Sequence, residues 1–341
     1  MNELTPRFRR LAGLASGASV GLVVLYWAAL RFLGEDFWIS GALLYAPHLI
    51  LLLVLGVVAL PLLLFGPRRL LLVQAGAAAL VLFEVMGLVL SGPAPQTPGA
   101  PRMRVLTFNA GSGRRSVAEL VRELAAAQPD LVLLQESEPH VNDAVAAALP
   151  GFHTLTSTQF FIASEYPLSD LVEPPKIPLG DAERSPRFVR VTVDTPLGKL
   201  DVFNIHPISP RDALEAVRGA VRGGGSDDRA DISSNTELRR RQAQAIAQMA
   251  RASAHPVVIA GDTNLPQLSR ILADSLGQWQ DAFAAVGRGF GYTFPVGRRF
   301  AWMRIDRILA GPELRFLRVG TGAQRGSDHY LLWADVERPP R

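Results

Sequence analysis

Apolar residues are segregated in this chain: three long runs open it, and ordinary soluble composition follows. The runs extend from Leu11 to Leu33, from Gly41 to Phe65 and from Leu70 to Leu90. Each reaches the roughly 20 residues a helix needs to cross the hydrocarbon core of a bilayer. A cleaved signal peptide would account for the first run alone, but that run is too long and two more follow it. Residues 1–91 therefore read as a membrane anchor of three transmembrane helices. Arg7, Arg9 and Arg10 precede the first run, and Arg68 and Arg69 separate the second from the third. Glu35, Asp36 and Trp38 lie between the first and second. Arginine near span ends marks the cytoplasmic side. The N-terminus is thus expected in the cytoplasm and everything after the third run outside, in a multi-pass cell-membrane protein; Arg31, Arg102 and Arg104 count the other way. His48 and Glu84 fall inside the runs and read as facing neighbouring helices, and Pro47 and Pro61 kink the second run locally.

Overall composition describes neither half well, with 48% hydrophobic and 19% charged residues averaged over both. A formal charge of +4 over 341 residues points only weakly to any partner. Cysteine is absent, which excludes disulfides, thiol catalysis and cysteine metal sites. Ser91 to Pro101 (SGPAPQTPGAP) is too rich in proline and glycine to be anything but an extended, semi-rigid spacer. Residues 92–103 are read as the linker and residues 104–341 as the soluble domain, large enough for its own core.

That domain alternates strand and helix signals. Short apolar, β-branched runs occur at Arg104–Phe108, Leu131–Leu134, Phe160–Ala163, Phe188–Val193, Leu200–Ile205, Pro256–Ala260, Arg304–Leu309 and Tyr330–Val336. Helical periodicity covers Val117–Ala127 and Glu237–Ala250. Strands that are often adjacent, with helices between some of them, imply an α+β fold. The expected architecture is a four-layer α/β sandwich: two mainly antiparallel sheets face to face, with helices outside.

Polar residues fall where the strands stop. Asn109, Glu136, His206 and Asp262 each directly follow an apolar strand run. With Asn264, Asp306, Asp328 and His329 they supply carboxylates, amides and imidazoles. These are the groups phosphoester hydrolysis needs: oxygen ligands for a divalent cation, a base for water, and donors for charge developing on phosphorus. His140, His153 and His255 have no such context and read as structural.

The ordered series FNA, LLQE, NIHP, IAGDTN, RIDRIL and GSDH resembles the signature motifs of the endonuclease/exonuclease/phosphatase (DNase I-like) superfamily. The resemblance implies a metal-dependent phosphoric ester hydrolase. It implies Glu136 as the principal Mg²⁺ ligand, with Mn²⁺ as an alternative ion, and Asn109 and Asp328 close to the same ion. Asp262 would position and deprotonate the attacking water, and Asn264 would orient that water or hold a phosphate oxygen. His329 would stabilise charge on the phosphate, and Asp306 would fix its ring. His206 would donate to a phosphate oxygen or assist the leaving group. The chain has GDTN where GDFN or GDLN is common, with Thr263 in a variable slot, and Tyr330-Leu331 where many members continue to a proline.

HPISP after the strand ending at Ile205, together with the N-terminal runs, resembles a membrane-anchored branch that includes the VanJ-type glycopeptide-resistance proteins. That resemblance implies antibiotic resistance at the cell envelope and a lipid pyrophosphate substrate such as undecaprenyl pyrophosphate. A membrane-tethered nuclease acting on DNA and a phospholipid phosphodiesterase are the alternatives. DNA is the weaker expectation, because no stretch interleaves basic and aromatic residues as a stacking platform would. Arg211, Arg218 and Arg222 lie in a glycine-rich segment between motifs and are candidates for substrate phosphate; Arg184 and Arg187 raise the same question.

Overall fold

A computed structural model describes residues 6–65, 67–215, 226–297, 300–323 and 326–340. The chain divides into one unit of Met1–Leu88 with Gln267–Arg270 and another of Val89–Pro266 with Ile271–Arg341.

The first unit is helical. Helix α1 (Pro6–Ala28) continues through a wide turn at Ala29–Leu33 and a tight one at Gly34–Asp36. It is followed by α2 (Trp38–Leu43), α3 (Leu49–Phe65) and α4 (Arg68–Leu80), which runs on as a wide turn to Val85. Helices α1, α3 and α4 pack on one another through Val23, Leu55, Leu62, Ala77 and Val81. Gln74 Nε2 donates to Ser16 Oγ at 3.0 Å and Ser19 Oγ at 2.9 Å, so the amide nitrogen buried between α4 and α1 is satisfied. The outer faces are apolar as well: Leu25, Val57 and Leu72 are 71%, 74% and 75% exposed.

Three spans are expected from composition, but among the described residues one helical stretch, Arg10–Asp36, is long and apolar enough to cross a membrane. The second run is interrupted at Leu44–His48, where Pro47 lacks a donor, and its apolar helix, Leu49–Leu64, is shorter. Helix α4, which forms the first part of the third run, begins at Arg68 and Arg69, and Glu84 lies in the wide turn that continues it. His48 does meet a neighbouring helix, with Nδ1 3.0 Å from the Tyr26 hydroxyl, whereas Glu84 is exposed.

Among the described residues the second unit contains fourteen strands: β1 (Arg102–Asn109), β2 (Leu131–Gln135), β3 (His153–Ser157), β4 (Phe160–Ser164), β5 (Leu168–Val172), β6 (Ile177–Leu179), β7 (Ala182–Arg184), β8 (Phe188–Thr195), β9 (Gly198–Ile205), β10 (Val257–Asp262), β11 (Gln280–Asp281), β12 (Asp306–Ala310), β13 (Arg315–Thr321) and β14 (Leu332–Glu337). Helices α5 (Val117–Ala127), α6 (Pro139–Ala148), α7 (Ser226–Arg251), α8 (Arg270–Leu276) and α9 (Ala282–Val286) punctuate them. One six-stranded sheet has the order β13-β14-β1-β2-β4-β3 and the other β11-β12-β10-β9-β8-β5, with β6-β7 a separate hairpin. Each large sheet has a single parallel pair near its centre, β1 with β2 and β9 with β10, flanked by antiparallel neighbours.

Period-two alternation divides each strand between two cores. Val105, Leu131, Leu133, Ile162, Val191, Val202, Val258 and Ile308 face the space between the sheets. Leu106, Phe108, Val132 and Leu134 face the other way, onto Leu120 and Leu124 of α5 and Val141 and Val145 of α6. Phe203, Ile205, Val257 and Ile259 pack on Ile246 and Ala250 of α7 and on Leu276 of α8. These layers make the four-layer sandwich expected from the sequence.

At one end the inter-sheet core turns polar. Gln135 Nε2 donates to Asn204 Oδ1 at 2.7 Å and Thr107 Oγ1 at 3.0 Å, while Asn204 Nδ2 donates to the Leu134 carbonyl at 3.0 Å. This amide clasp joins the sheets without leaving a buried polar group orphaned. The proline-rich segment runs extended along the domain: Ala94 N–H donates to Leu317 O at 2.8 Å, and the Thr97 hydroxyl to Glu337 at 2.8 Å. Asn204→Ala should destabilise this domain by about 1–3 kcal/mol, the cost of stranding buried partners. A thermal denaturation series against a surface control such as Lys199→Ala would measure it.

Candidate active site

A parallel pair delivers both strand C-termini to the same rim, and an antiparallel neighbour begins there. Asn109 ends β1 and Glu136 follows β2; His206 follows β9 and Asp262 ends β10. Asp306 opens β12 directly opposite Asp262 in the ladder. Asp328 and His329 lead into β14, the antiparallel partner of β1. Residues far apart in sequence are thereby brought to one rim by rigid elements.

The backbone is specialised at this rim. Gly261 allows β9 and β10 to close up just before Asp262: a Cβ there would stand 1.9 Å from the Ile205 carbonyl oxygen. Glu136 and Asn264 adopt left-handed conformations, with φ of 46° and 52°. Non-glycine residues are held this way only where their surroundings enforce it, most often at functional sites.

Asp262 is the hub. It is 1% exposed. Its Oδ2 accepts from Asn109 Nδ2 at 3.1 Å, and its Oδ1 accepts from the Asn264 backbone N–H at 2.9 Å. His206 Nε2 and His329 Nε2 approach Oδ2 at 3.6 and 3.7 Å. His206 Nε2 also lies 3.7 Å from Glu136 Oε1. On its other side, His329 holds Asp306 Oδ2 with Nδ1 at 2.9 Å. Asn109 Oδ1 accepts from Gly111 N–H at 3.0 Å, which leaves that oxygen a second lone pair.

A further ring of contacts locks these groups. Ser327 Oγ donates to Asn109 O at 2.7 Å and accepts from His329 N–H at 3.3 Å. Arg115 donates to the carbonyls of Ser327 and Val296, both at 2.8 Å, and so pins the loop that carries Asp328. Thr263 is not an idle position: its buried hydroxyl donates to Ile305 O at 2.6 Å, tying the Asp262 turn to the start of β12. Asn264 Nδ2 donates to Pro207 O at 3.0 Å and fastens the same turn to the segment after His206.

Electrostatics separate the titrating groups. Burial, opposed by the nearby His329 charge, pushes the Asp262 carboxyl up to about 7. Burial disfavours the His329 imidazolium, but the charges of Asp306 and Asp262 together with the Asp306 hydrogen bond outweigh it and lift the ring to about 9. His206 is held well below the ordinary histidine value by burial and then by the charges of Arg187 and His329. Groups driven apart in this way can divide acid and base roles between them.

Asp262, Asp306 and His329 offer ligand atoms within 4.8 Å of one another. A protonated imidazole has no lone pair for a cation, so these three make a better proton-handling set than a metal cage. Glu136, whose side chain is 33% exposed, opens toward the cleft. Gly111 lies between Asn109 and Asp328, bonded to one and close against the other. These hard oxygen donors fit Mg²⁺ or Mn²⁺ and would not select a soft metal.

Of the residues singled out in the sequence, Asn109, Glu136, His206, Asp262, Asn264, Asp306, Asp328 and His329 all lie at this rim. Arg211 is exposed at the start of the helical stretch 211–215, and Arg218 and Arg222 lie outside the described residues. Arg184 is exposed on β7, but Arg187 is half-buried, and the charges of Glu136 and Asp262 act on it. Sequence reasoning missed Gln159, whose side-chain amide lies 2.6 Å from His206 Nδ1, and Arg115. Neither belongs to a motif, and only the fold brings them near.

His329 has a higher pKa in the fold than its ordinary 6.5, so its pairing with Asp306 stabilises the protein fully below about 6.5 and is lost as pH rises through about 9. Melting temperature should therefore fall across that interval. Asp306→Asn should shift the fall to lower pH and shrink it, which a pH series of thermal melts would detect.

The match to known proteins accords with this geometry. Residues 106–329 match the model of the Endonuclease/Exonuclease/phosphatase family. No protein with a curated description matches the sequence. Among solved structures, an endonuclease/exonuclease/phosphatase from Bacteroides vulgatus is similar at 17% identity and a TM-score of 0.52, over 70% of this chain and 100% of that one. An AP endonuclease from Archaeoglobus fulgidus is similar at 19% identity and a TM-score of 0.51, over 68% and 98%. A family member from Bacteroides thetaiotaomicron gives 14% identity and a TM-score of 0.51, over 71% and 99%. At these identities the likeness is one of fold. Because the family model spans the rim from before Asn109 to His329, this chain belongs to the endonuclease/exonuclease/phosphatase family of phosphoester hydrolases.

Proposed function

We propose that this protein is a membrane-anchored, Mg²⁺-dependent phosphoesterase whose substrate is a lipid-linked pyrophosphate outside the cytoplasm, such as undecaprenyl pyrophosphate. The observation that carries the chemistry is the buried Asp262 carboxylate with an amide, two imidazoles and a backbone N–H around it. Asp262 takes the proton of the attacking water, and Asn109 and the Asn264 N–H hold its carboxylate toward that task. His329, charged against Asp306, stabilises the negative charge that builds on the phosphate oxygens. His206 Nε2 faces the same space. Glu136, Asn109 and Asp328 would hold the cation, which when bound neutralises phosphate charge and polarises the phosphorus centre. Water adds to phosphorus, the bond to the bridging oxygen breaks, and the products are inorganic phosphate and the lipid monophosphate.

Anchoring is supported by the apolar Arg10–Asp36 stretch and by the apolar outer faces of α1, α3 and α4. A helix apolar all round belongs in a core or a membrane. The arginine distribution supports a cytoplasmic N-terminus and an outer catalytic domain. A C-terminal reporter active only in the cytoplasm would overturn that topology. DNA is the second reading, since one similar structure is an AP endonuclease.

The test is phosphate release by full-length protein in detergent with Mg²⁺, offered undecaprenyl pyrophosphate, duplex DNA or phospholipid vesicles. Asp262→Ala should lower the rate by about 10²–10⁴-fold, the usual worth of a positioned base. Chelation of the cation should abolish it. Nicked DNA with the lipid untouched would make this a tethered nuclease, and a phosphorylated headgroup freed from vesicles would make it a phospholipase.

A further inference from the structure

His206 has two ring nitrogens facing different company, and its neighbours decide which one carries the proton. The backbone N–H of His206 donates to Arg187 O at 2.9 Å, so these residues face each other where β8 begins and β9 ends. Gln159, in the turn between β3 and β4, lies between their side chains. A guanidinium has donors and no acceptor. The end of the Gln159 amide that lies 3.2 Å from Arg187 Nε and 3.3 Å from Nη2 is therefore assigned as the carbonyl oxygen, since an NH₂ there would set donor against donor. That choice leaves the Gln159 amide nitrogen facing His206 Nδ1 at 2.6 Å. An amide NH₂ also only donates, so Nδ1 must present its lone pair. The ring hydrogen then sits on Nε2, the nitrogen 3.6 Å from Asp262 Oδ2 and 3.7 Å from Glu136 Oε1.

We infer that Arg187 and Gln159 form a chain of fixed donors that locks His206 as the Nε2–H tautomer, making it a preset hydrogen-bond donor to a substrate phosphate oxygen. This deepens the phosphoesterase reading and rests on it for the identity of the acceptor. With Nδ1 filled by a donor, the ring holds one hydrogen and aims it into the cleft. Gln159 is a positioning residue: it reaches the cleft only through the imidazole. Arg187 stands one step further back and orients the amide, a task lysine could not copy because it lacks the planar pair of N–H groups.

The orientation can be read without any substrate. Full-length protein carrying ¹⁵N-histidine, in detergent at neutral pH, should show His206 with a protonated, pyrrole-type Nε2 and a bare, pyridine-type Nδ1. Loss of that signal pair in His206→Gln assigns it among the six histidines. Gln159→Glu, which presents only acceptors, should move the hydrogen to Nδ1, and Gln159→Leu should leave a mixture of tautomers. A wild-type ring protonated on Nδ1 would overturn the inference, as would an Nε2–H ring unchanged in both variants. The wild-type spectrum decides the tautomer even if a variant fails to fold. An Nε2–H signal alongside an inactive lipid assay would leave the donor chain standing and remove the proposed substrate alone.

Discussion

A carboxylate taken fully out of water is tolerated only when other groups replace the water it lost. Asp262 is in that position, and the rim is arranged around it. Its two oxygens are met from β1 by Asn109, from its own turn by the Asn264 N–H, and more distantly by imidazoles that follow β9 and precede β14. No one of these segments can satisfy Asp262 alone. Burial raises its proton affinity, and the contacts that offset that burial temper the rise while aiming the carboxylate at the cleft. Stability and chemistry are therefore coupled here, and the second layer through Ser327, Arg115 and Thr263 serves both.

The sheets make that coupling practicable. With one parallel pair at the centre of each, two strand C-termini per sheet open on a common edge, and the antiparallel partners start from it. The Gln135–Asn204 clasp then fixes one sheet against the other just inside that edge. A slip of one residue in either sheet would turn apolar side chains toward the wrong layer and withdraw the polar ones from the rim.

Legibility in the sequence followed local signals. Helix α5 could be bounded because Ser116 caps it, accepting from Glu119 N–H at 3.2 Å, and Pro129 stops it just after the left-handed Gln128. The central strands were readable because both faces are buried, as in the all-apolar Leu131–Leu134. Strands β3 and β5 were not, since at sheet edges they keep exposed polar residues and lose the apolar signature. Helix α6 hides in a stretch rich in alanine behind Pro139. At the rim, residues next to strand ends could be listed from order alone, but Gln159 could not, because its partners arrive from β8 and β9. Gln135 and Asn204 sat inside recognised motifs without a role until the opposing sheet supplied one. Composition also overstated the spans, since it does not register the interruption around Pro47 or the charges at the start of α4 and in the wide turn that continues it.

One pairing in the first sheet bears on how the protein is made. Strand β1 is hydrogen-bonded to β14 along nearly its whole length, Arg102 against Glu337 through Thr107 against Leu332. The opening strand of the catalytic domain thus waits for the closing one, and long-range pairings of this kind form late. During synthesis, β1 would have β2 on one side and a bare edge on the other until β14 left the ribosome. His329, just ahead of β14, joins the rim in that same step. A nascent or truncated chain would thus lack hydrolytic competence, and its unpaired edge would make it a target for chaperones or proteases.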